Sequence, residues 1–374
     1  MPRITVVLPV YNHQHYVEQT LHSLLAQDYS DFQIVAVDDG SSDASLEILN
    51  RHRSHLAVIQ NSHAGPAAAR NRALDATDSE FVAFMDADDL CSPERLRVQM
   101  EKIEVENLDL AASALSFIDS SGQQLPGVWA RPGIAARDHW ASLLERNWIG
   151  TPSVMLRRSA IESVGLFDET FTHSEDYDLW LHISRSHSIG YVDTPMIQCR
   201  RHSANTSNNI ASHQHFERLA LQKVSVSEAH AAFGRLYPEP LQRDEAWIWF
   251  LLRSGNPTFA EESESSLIRH PGSHSLRFAR GVFQYDAGLH HAALVTFQTL
   301  DDPASLNNAA ILRGDVRCLE AALHLRPDYH DAQYNLAALQ RGDELRLTRR
   351  PLRESLVPVC ERGLTVSGPP PAAT

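Results

Sequence analysis

The chain has 374 residues, 43% of them hydrophobic, and a formal net charge of −14. That length predicts two or three domains with real cores, and the acidic balance speaks against nucleic acid as a partner, which would want a basic face. The four cysteines (Cys91, Cys199, Cys318, Cys360) have no metal-ligand spacing and read as reduced thiols, and no apolar run approaches the length of a membrane span. A first strand beginning at residue 4 leaves no room for a signal peptide. A soluble cytoplasmic enzyme is the expectation, with peripheral contact to a membrane left open.

Residues 1–110 alternate strand and helix patterns. Strand 4–10 precedes a helix from about His15 to Gln27, with Val17, Leu21, Leu24 and Leu25 at helical spacing. Strand 32–38 precedes a helix over 44–53, and 57–60 is a third strand. A helix over 66–76, a strand over 81–85 and a helix over 93–105 follow. This alternation predicts a mostly parallel sheet with helices on its faces. Residues 110–118 and 153–157 read as strands, 119–140 as a looser stretch, 177–186 as a helix behind Glu175-Asp176, and 190–193 and 196–201 as two strands. Beyond about residue 210 the strand-like runs give way to helical spacing. Residues 317–327 and 331–339 resemble the joint between tetratricopeptide repeats, although Pro271, Pro303 and Pro327 are unevenly placed around the expected ~34-residue period. The organisation expected is a nucleotide-binding domain over 1–212, a helical connector over 213–270, a degenerate helical-repeat domain over 271–350 and a disordered tail over 363–374.

Phe81-Val-Ala-Phe-Met-Asp-Ala-Asp-Asp-Leu90 is the most informative segment. A buried strand stops at Asp86, Asp88 and Asp89, and charge is not placed there cheaply. Asp-x-Asp offers hard oxygens to Mg²⁺ or Mn²⁺, and open α/β sheets bind ligands beyond the carboxyl ends of their strands. A metal-held diphosphate fits that edge. The competing reading is that these carboxylates only cap the turn before Ser92. Two further strands end similarly, at Pro9-Val-Tyr-Asn12 and at Val37-Asp-Asp-Gly-Ser-Ser42.

Those motifs, with Gly65-Pro-Ala-Ala-Ala-Arg-Asn71, Gly165-Leu-Phe-Asp-Glu169, Ser174-Glu-Asp-Tyr-Asp-Leu-Trp180 and Arg200-Arg-His202, occur in one order. In that order the chain resembles family 2 glycosyltransferases of the GT-A fold, over its N-terminal half or a little more. The resemblance implies a Rossmann-like, mostly parallel sheet that binds a nucleotide sugar, here followed by the all-α helical-repeat region. It makes Asp88 a metal ligand, with Asp86 near the ribose or the metal. It puts Asp39 and Tyr11 against the base, one accepting an imide N–H and the other stacking, with Pro9 shaping the pocket. Arg70 reaches the diphosphate; its alternative is a surface ion pair. Asp176 is the catalytic base, and Glu175 orients it or binds the acceptor. His202 reaches the metal or the diphosphate. Trp180 reads as core, and Trp148 as a candidate for lining the acceptor site.

Processive members carry a Gln-x-x-Arg-Trp run after the acidic pair, whereas this chain continues Tyr177-Asp-Leu-Trp-Leu-His-Ile183. The expectation is therefore inverting transfer of one sugar, aided by Mn²⁺ or Mg²⁺, from a UDP-linked or other nucleotide-diphosphate donor. The acceptor is a saccharide of a surface glycan or, because helical repeats offer concave surfaces, a polypeptide. The helical region either recruits that acceptor or dimerises the enzyme. Two rivals remain: a catalytically inactive helical scaffold, and a nucleotidyltransferase. The second would want a basic, glycine-rich phosphate loop that residues 8–16 lack.

Overall fold

A computed structural model describes residues 2–130 and 135–349; the predicted tail over 363–374 lies outside the described residues. The described chain separates into two compact units, one running to Ala220 and the other beginning at Leu221.

The first unit is built on one nine-stranded sheet. Its strands are β1 (Ile4–Val10), β2 (Phe32–Asp38), β3 (Ala57–Gln60), β4 (Phe81–Phe84), β5 (Leu90–Cys91), β6 (Leu110–Asp119), β7 (Gln124–Trp129), β8 (Met155–Arg157) and β9 (Ile189–Arg201). The order is β3-β2-β1-β4-β8-β6-β9-β5, with β7 paired to β6. The first four strands are parallel, and β8 is antiparallel to both β4 and β6. Every residue of β4 is buried, as a central strand covered on both faces requires. The helices are α1 (Val17–Leu25), α2 (Ser45–Arg51), α3 (Pro66–Asp75), α4 (Arg95–Glu106), α5 (His139–Glu145), α6 (Arg158–Val164), α7 (Glu175–Ser186) and α8 (Ile210–Gln222), the last of which crosses into the second unit. The chain steps one way from β1 through β2 to β3 and then returns to β4. Right-handed crossovers therefore put α1 and α2 on one face and α3 on the other. Val10 is in register with Asp38, and Val7 with Phe84. The loops carrying Tyr11, Asp39 and Asp86 thus leave from one edge of the sheet.

Three expectations are revised. Residues 119–140 include β7 and the start of α5. Pro126 and Gly127 hid the strand, but among the described residues β7 pairs only with β6, and an edge strand tolerates both residues. The two strands predicted over 190–201 are one, β9. Its ladder with β6 shifts register where Pro195 faces Ala114, because proline has no N–H to give. Helix α7 starts at Glu175, so the acidic pair occupies its first turn rather than preceding it.

Arg95 of α4 is fully buried. Its guanidinium donates to the carbonyls of Phe84 (2.8 Å) and Val154 (3.2 Å) and to Gln99 Oε1 (3.0 Å). Gln99 in turn donates to the carbonyls of Ala111 and Ser153. One Arg–Gln pair thereby satisfies backbone groups of β4, of β6 and of the segment leading into β8.

The second unit is helical: α9 (Val226–Leu236), α10 (Pro240–Ser254), α11 (Phe259–Arg269), α12 (His274–Asp286), α13 (His290–Gln298), α14 (Pro303–Arg313), α15 (Val316–Leu325) and α16 (His330–Arg341). Consecutive helices pack pairwise. At the α12–α13 crossing, a Cβ on Gly281 would lie 2.7 Å from the Phe297 ring, so glycine sets that approach. Among the described residues no helix is long and apolar enough to cross a membrane.

Arg95→Ala is expected to strand those carbonyls and leave a void, costing about 3 kcal/mol or more in denaturant unfolding. A loss within ~0.5 kcal/mol, the range of an ordinary surface change, would show that water replaces the guanidinium.

Candidate active site

Beyond β4 the chain turns through Asp86, Asp88 and Asp89. Asp88 Oδ2 lies 2.9 Å from His202 Nε2 and accepts from Asn205 Nδ2 at 3.2 Å. His202 arrives from the end of β9, 114 residues away in sequence, and is buried. Burial alone would raise the Asp88 carboxyl; the His202 hydrogen bond and the nearby His13 outweigh it and hold the group below the usual carboxylate range. Asp89 has no such partner. Burial, then the Asp88 charge, push it well up, although it accepts the Arg200 N–H at 2.7 Å.

Arg200 is fully buried and braces this turn. Its Nε donates to the Asp88 carbonyl (2.8 Å) and its Nη2 to Gln19 Oε1 (2.8 Å), and its guanidinium lies over the Tyr16 ring, 4.9 Å from the centroid. Tyr16 also stacks on His202 at 4.8 Å. Nothing in the sequence marks Tyr16, Arg200 or Asn205 for such roles beyond position, Arg200 and Asn205 flanking His202.

Arg70 of α3 is buried between two carboxylates. It donates to Glu175 Oε1 at 2.6 Å and to Asp86 Oδ1 at 3.0 Å. The alternative of a surface ion pair is thereby set aside, whereas Arg72, two residues on, is exposed. Beside Glu175, Asp176 has neutral partners instead. Its Oδ2 accepts from the Thr151 hydroxyl (2.9 Å) and from Asn147 Nδ2 (3.5 Å), and its Oδ1 from the Tyr177 N–H (2.7 Å). Burial, then the Glu175 charge, push the Asp176 carboxyl up to about 6, against the Thr151 hydrogen bond. Thr151, in the Gly150-Thr-Pro-Ser153 turn, carries no sequence signal of this role. Ser174, which precedes α7, is left-handed (φ 56), and its hydroxyl lies 3.0 Å from His213 Nδ1. Such a backbone in a non-glycine residue costs of order 1–3 kcal/mol and persists only where its surroundings fix it.

At the β1 and β2 ends, Asp39 accepts the N–H groups of Ala64 (2.9 Å) and Gly65 (2.8 Å) and Asn61 Nδ2 (3.0 Å). Its carboxylate thus organises the loop before α3. Gly40 (φ 77) permits the turn, since a Cβ there would stand 3.1 Å from the His63 N atom. Tyr11 is 42% exposed and stacks on His63 at 4.0 Å between centroids. Pro9 lies in β1 just before it. Trp148 and Trp180 are buried: Trp180 packs on Phe84 and Phe167, and Trp148 on His139 and Tyr191. Trp148 therefore belongs to the interior. The structure brings Asp86, Asp88, His202, Arg70, Glu175 and Asp176 into one linked region, with Asp39 and Tyr11 along the same sheet edge.

A Rossmann-like sheet with an acidic turn beyond its central strand defines the GT-A class of nucleotide-sugar folds. The model of glycosyl transferase family 2 matches residues 5–165. An uncharacterized glycosyltransferase of Haemophilus influenzae is 30% identical over 185 residues, 48% of this chain and 71% of that one. The chain belongs to glycosyltransferase family 2. The Escherichia coli protein WfgD, named a UDP-Glc:alpha-D-GlcNAc-diphosphoundecaprenol beta-1,3-glucosyltransferase, is 28% identical over 207 residues, 55% of this chain and 78% of that one. The Rickettsia conorii glycosyltransferase RC0461 is 27% identical over 200 residues, 53% of this chain. The match spans only 33% of RC0461's own length. The crystal structure of S. aureus TarS 1-349 in complex with UDP-GlcNAc superposes with a TM-score of 0.50 at 19% identity, over 92% of this chain and 93% of that one. At that identity the likeness is one of fold.

Arg70→Met is expected to leave the buried Glu175 without a counter-charge and to cost about 3–5 kcal/mol in denaturant unfolding. A cost under about 1 kcal/mol, typical of exposed pairs, would show that solvent compensates Glu175 instead.

Proposed function

We propose that this chain transfers single sugars from a UDP-linked donor to a saccharide acceptor in surface-glycan synthesis, with inversion at the anomeric carbon. The observation that carries this reading is the pairing of Asp88 with His202 at 2.9 Å beside the Arg70–Glu175–Asp176 group. The similarity to WfgD supports the donor and the kind of acceptor.

The donor set suits a divalent cation. A carboxylate and an imidazole, each braced by a neighbour, are ligands Mn²⁺ accepts and Mg²⁺ accepts in part. Asp88 and His202 would hold the ion, with Asp86 next to it. When bound, it supplies Lewis-acid stabilisation to the departing diphosphate. The remaining work falls to side chains. Tyr11 offers a face to the base, the Asp39 carboxylate accepts its imide N–H, and Pro9 shapes the pocket around it. Arg70 contributes positive charge toward the diphosphate. Asp176 accepts the acceptor's hydroxyl proton while that oxygen bonds to the anomeric carbon and the bond from that carbon to the diphosphate breaks. Glu175, paired with Arg70, orients Asp176 or binds the acceptor. Transfer of one sugar at a time is supported by the course of α7, which continues through Tyr177-Asp-Leu-Trp180 without the processive signature.

Calorimetry with a panel of nucleotide sugars is expected to give binding of one UDP-sugar in Mn²⁺ and its loss in EDTA. Silence across the whole panel would favour the inactive-scaffold reading. Asp176→Asn is expected to abolish transfer while donor affinity stays intact; lost affinity would mean that the base is misassigned. A base must be ionised, and Asp176 is protonated below about 6. The ratio kcat/KM should therefore fall as pH drops through that value and level off above it. A profile flat from pH about 5 to 8 would assign the proton to another group.

A further inference from the structure

Between α14 and α16 the helical unit buries polar side chains beside its apolar core. Asn307 and Asn308 of α14 and Asn335 of α16 are fully buried. Burying a primary amide is costly unless its donors and acceptor are satisfied. Here they are satisfied by main chain that is not helical. Asn335 Oδ1 accepts the Arg346 N–H at 2.7 Å, and its Nδ2 donates to the Arg346 carbonyl at 2.8 Å. Asn308 repeats the pattern at Thr348, accepting its N–H at 2.8 Å and donating to its carbonyl at 2.9 Å. Asn307 joins the two, donating to the Arg346 carbonyl at 3.2 Å and accepting from Asn335 at 2.8 Å. A side-chain amide carries the same donor–acceptor pair as a peptide group, so each contact imitates one rung of a β-ladder. Arg346 and Thr348 are two residues apart, and in an extended segment their polar edges face the same side.

Side chains add a second layer of recognition. The Arg346 guanidinium lies 3.7 Å from the Tyr334 ring centroid. The Thr348 hydroxyl donates to Asp331 Oδ2 at 2.6 Å and meets the Tyr329 hydroxyl. Arg349 Nη1 pairs with Asp286 at 2.7 Å. The groove along α14 and α16 thus matches an extended Arg-x-Thr-Arg segment.

We propose that this groove is a polypeptide-binding site, that residues 345–349 are its resident ligand, and that a basic extended segment of another polypeptide competes for it. Recognition through the ligand's backbone tolerates other sequences, and Asp286 and Asp331 select for positive charge and a hydroxyl. The groove exchanges one backbone for another rather than standing empty, because withdrawal alone would strand three buried amides. The resident segment follows Gly342, left-handed at φ 77, so its departure need not unwind α16. The proposal concerns binding and stands apart from the transfer reaction.

The probe is a fluorescent hexapeptide with the sequence of residues 344–349, titrated into the full chain and read by anisotropy. The R346A/T348V chain, whose resident is weakened, is expected to bind it about tenfold more tightly than the unaltered chain. Adding N335D should remove that gain, with circular dichroism checking that the helices persist. In the unaltered chain, millimolar peptide should speed hydrogen exchange at the Arg346 and Thr348 amides. If a folded R346A/T348V chain binds no more tightly, or exchange does not respond, the segment is a fixed cap and the proposal is overturned.

Discussion

The site depends on how a knot of carboxylates is compensated. Asp86, Asp88, Asp89, Glu175 and Asp176 crowd one end of a buried sheet, where ionised groups are expensive unless paired. Two buried arginines and one histidine do most of the compensating. Arg70 takes Glu175 and Asp86, the Arg200 guanidinium takes the Asp88 carbonyl while its backbone N–H takes the Asp89 carboxyl, and His202 takes the Asp88 carboxyl. These partners come from α3 and from the end of β9, so the geometry exists only when the whole first unit has folded. Unequal burial and pairing leave the acids with different proton affinities. Asp88 is held low, Asp89 is pushed well up, and Asp176 reaches about 6. Neighbouring acids with spread affinities are what the proposed ligand and base would require at one pH.

What the sequence revealed about the fold follows from periodicity. The strands β1, β2 and β4 were legible because each is an apolar run ending in polar residues, and a strand buried on both faces shows that pattern without reference to its neighbours. β7 was illegible because Pro126 and Gly127 signal a turn, and only edge placement makes them tolerable. The fusion of two predicted strands into β9 turns on Pro195, whose missing N–H is absorbed by a register shift that no local rule anticipates.

Within the site, acids at strand ends announced themselves, whereas their supports did not. Arg200 looks like any arginine until its guanidinium is seen among the Asp88, Asp119 and Ser120 carbonyls. Thr151 matters only because α7 carries Asp176 to it from 25 residues away. Burial is likewise hidden at Trp148, a candidate for the acceptor site by position that the fold packs against His139 and Tyr191. The asparagines of α14 and α16 were equally opaque, since a buried amide reads as a solvent-facing residue to any hydrophobic-periodicity argument.

The contrast between Glu175 and Asp176 shows how adjacent identical chemistry is separated. Successive residues in the first turn of a helix point about a hundred degrees apart, so α7 sends one carboxylate toward α3 and the other toward the Thr151 turn. The first meets a guanidinium at 2.6 Å and the second a neutral hydroxyl at 2.9 Å. At Asp176, burial and the neighbouring Glu175 charge outweigh the Thr151 hydrogen bond and leave the carboxyl basic. Helix geometry, rather than the identity of either acid, therefore decides which one meets the guanidinium and which the hydroxyl. That geometry is fixed in turn by the left-handed Ser174 at the entry to α7, whose hydroxyl is tied to His213.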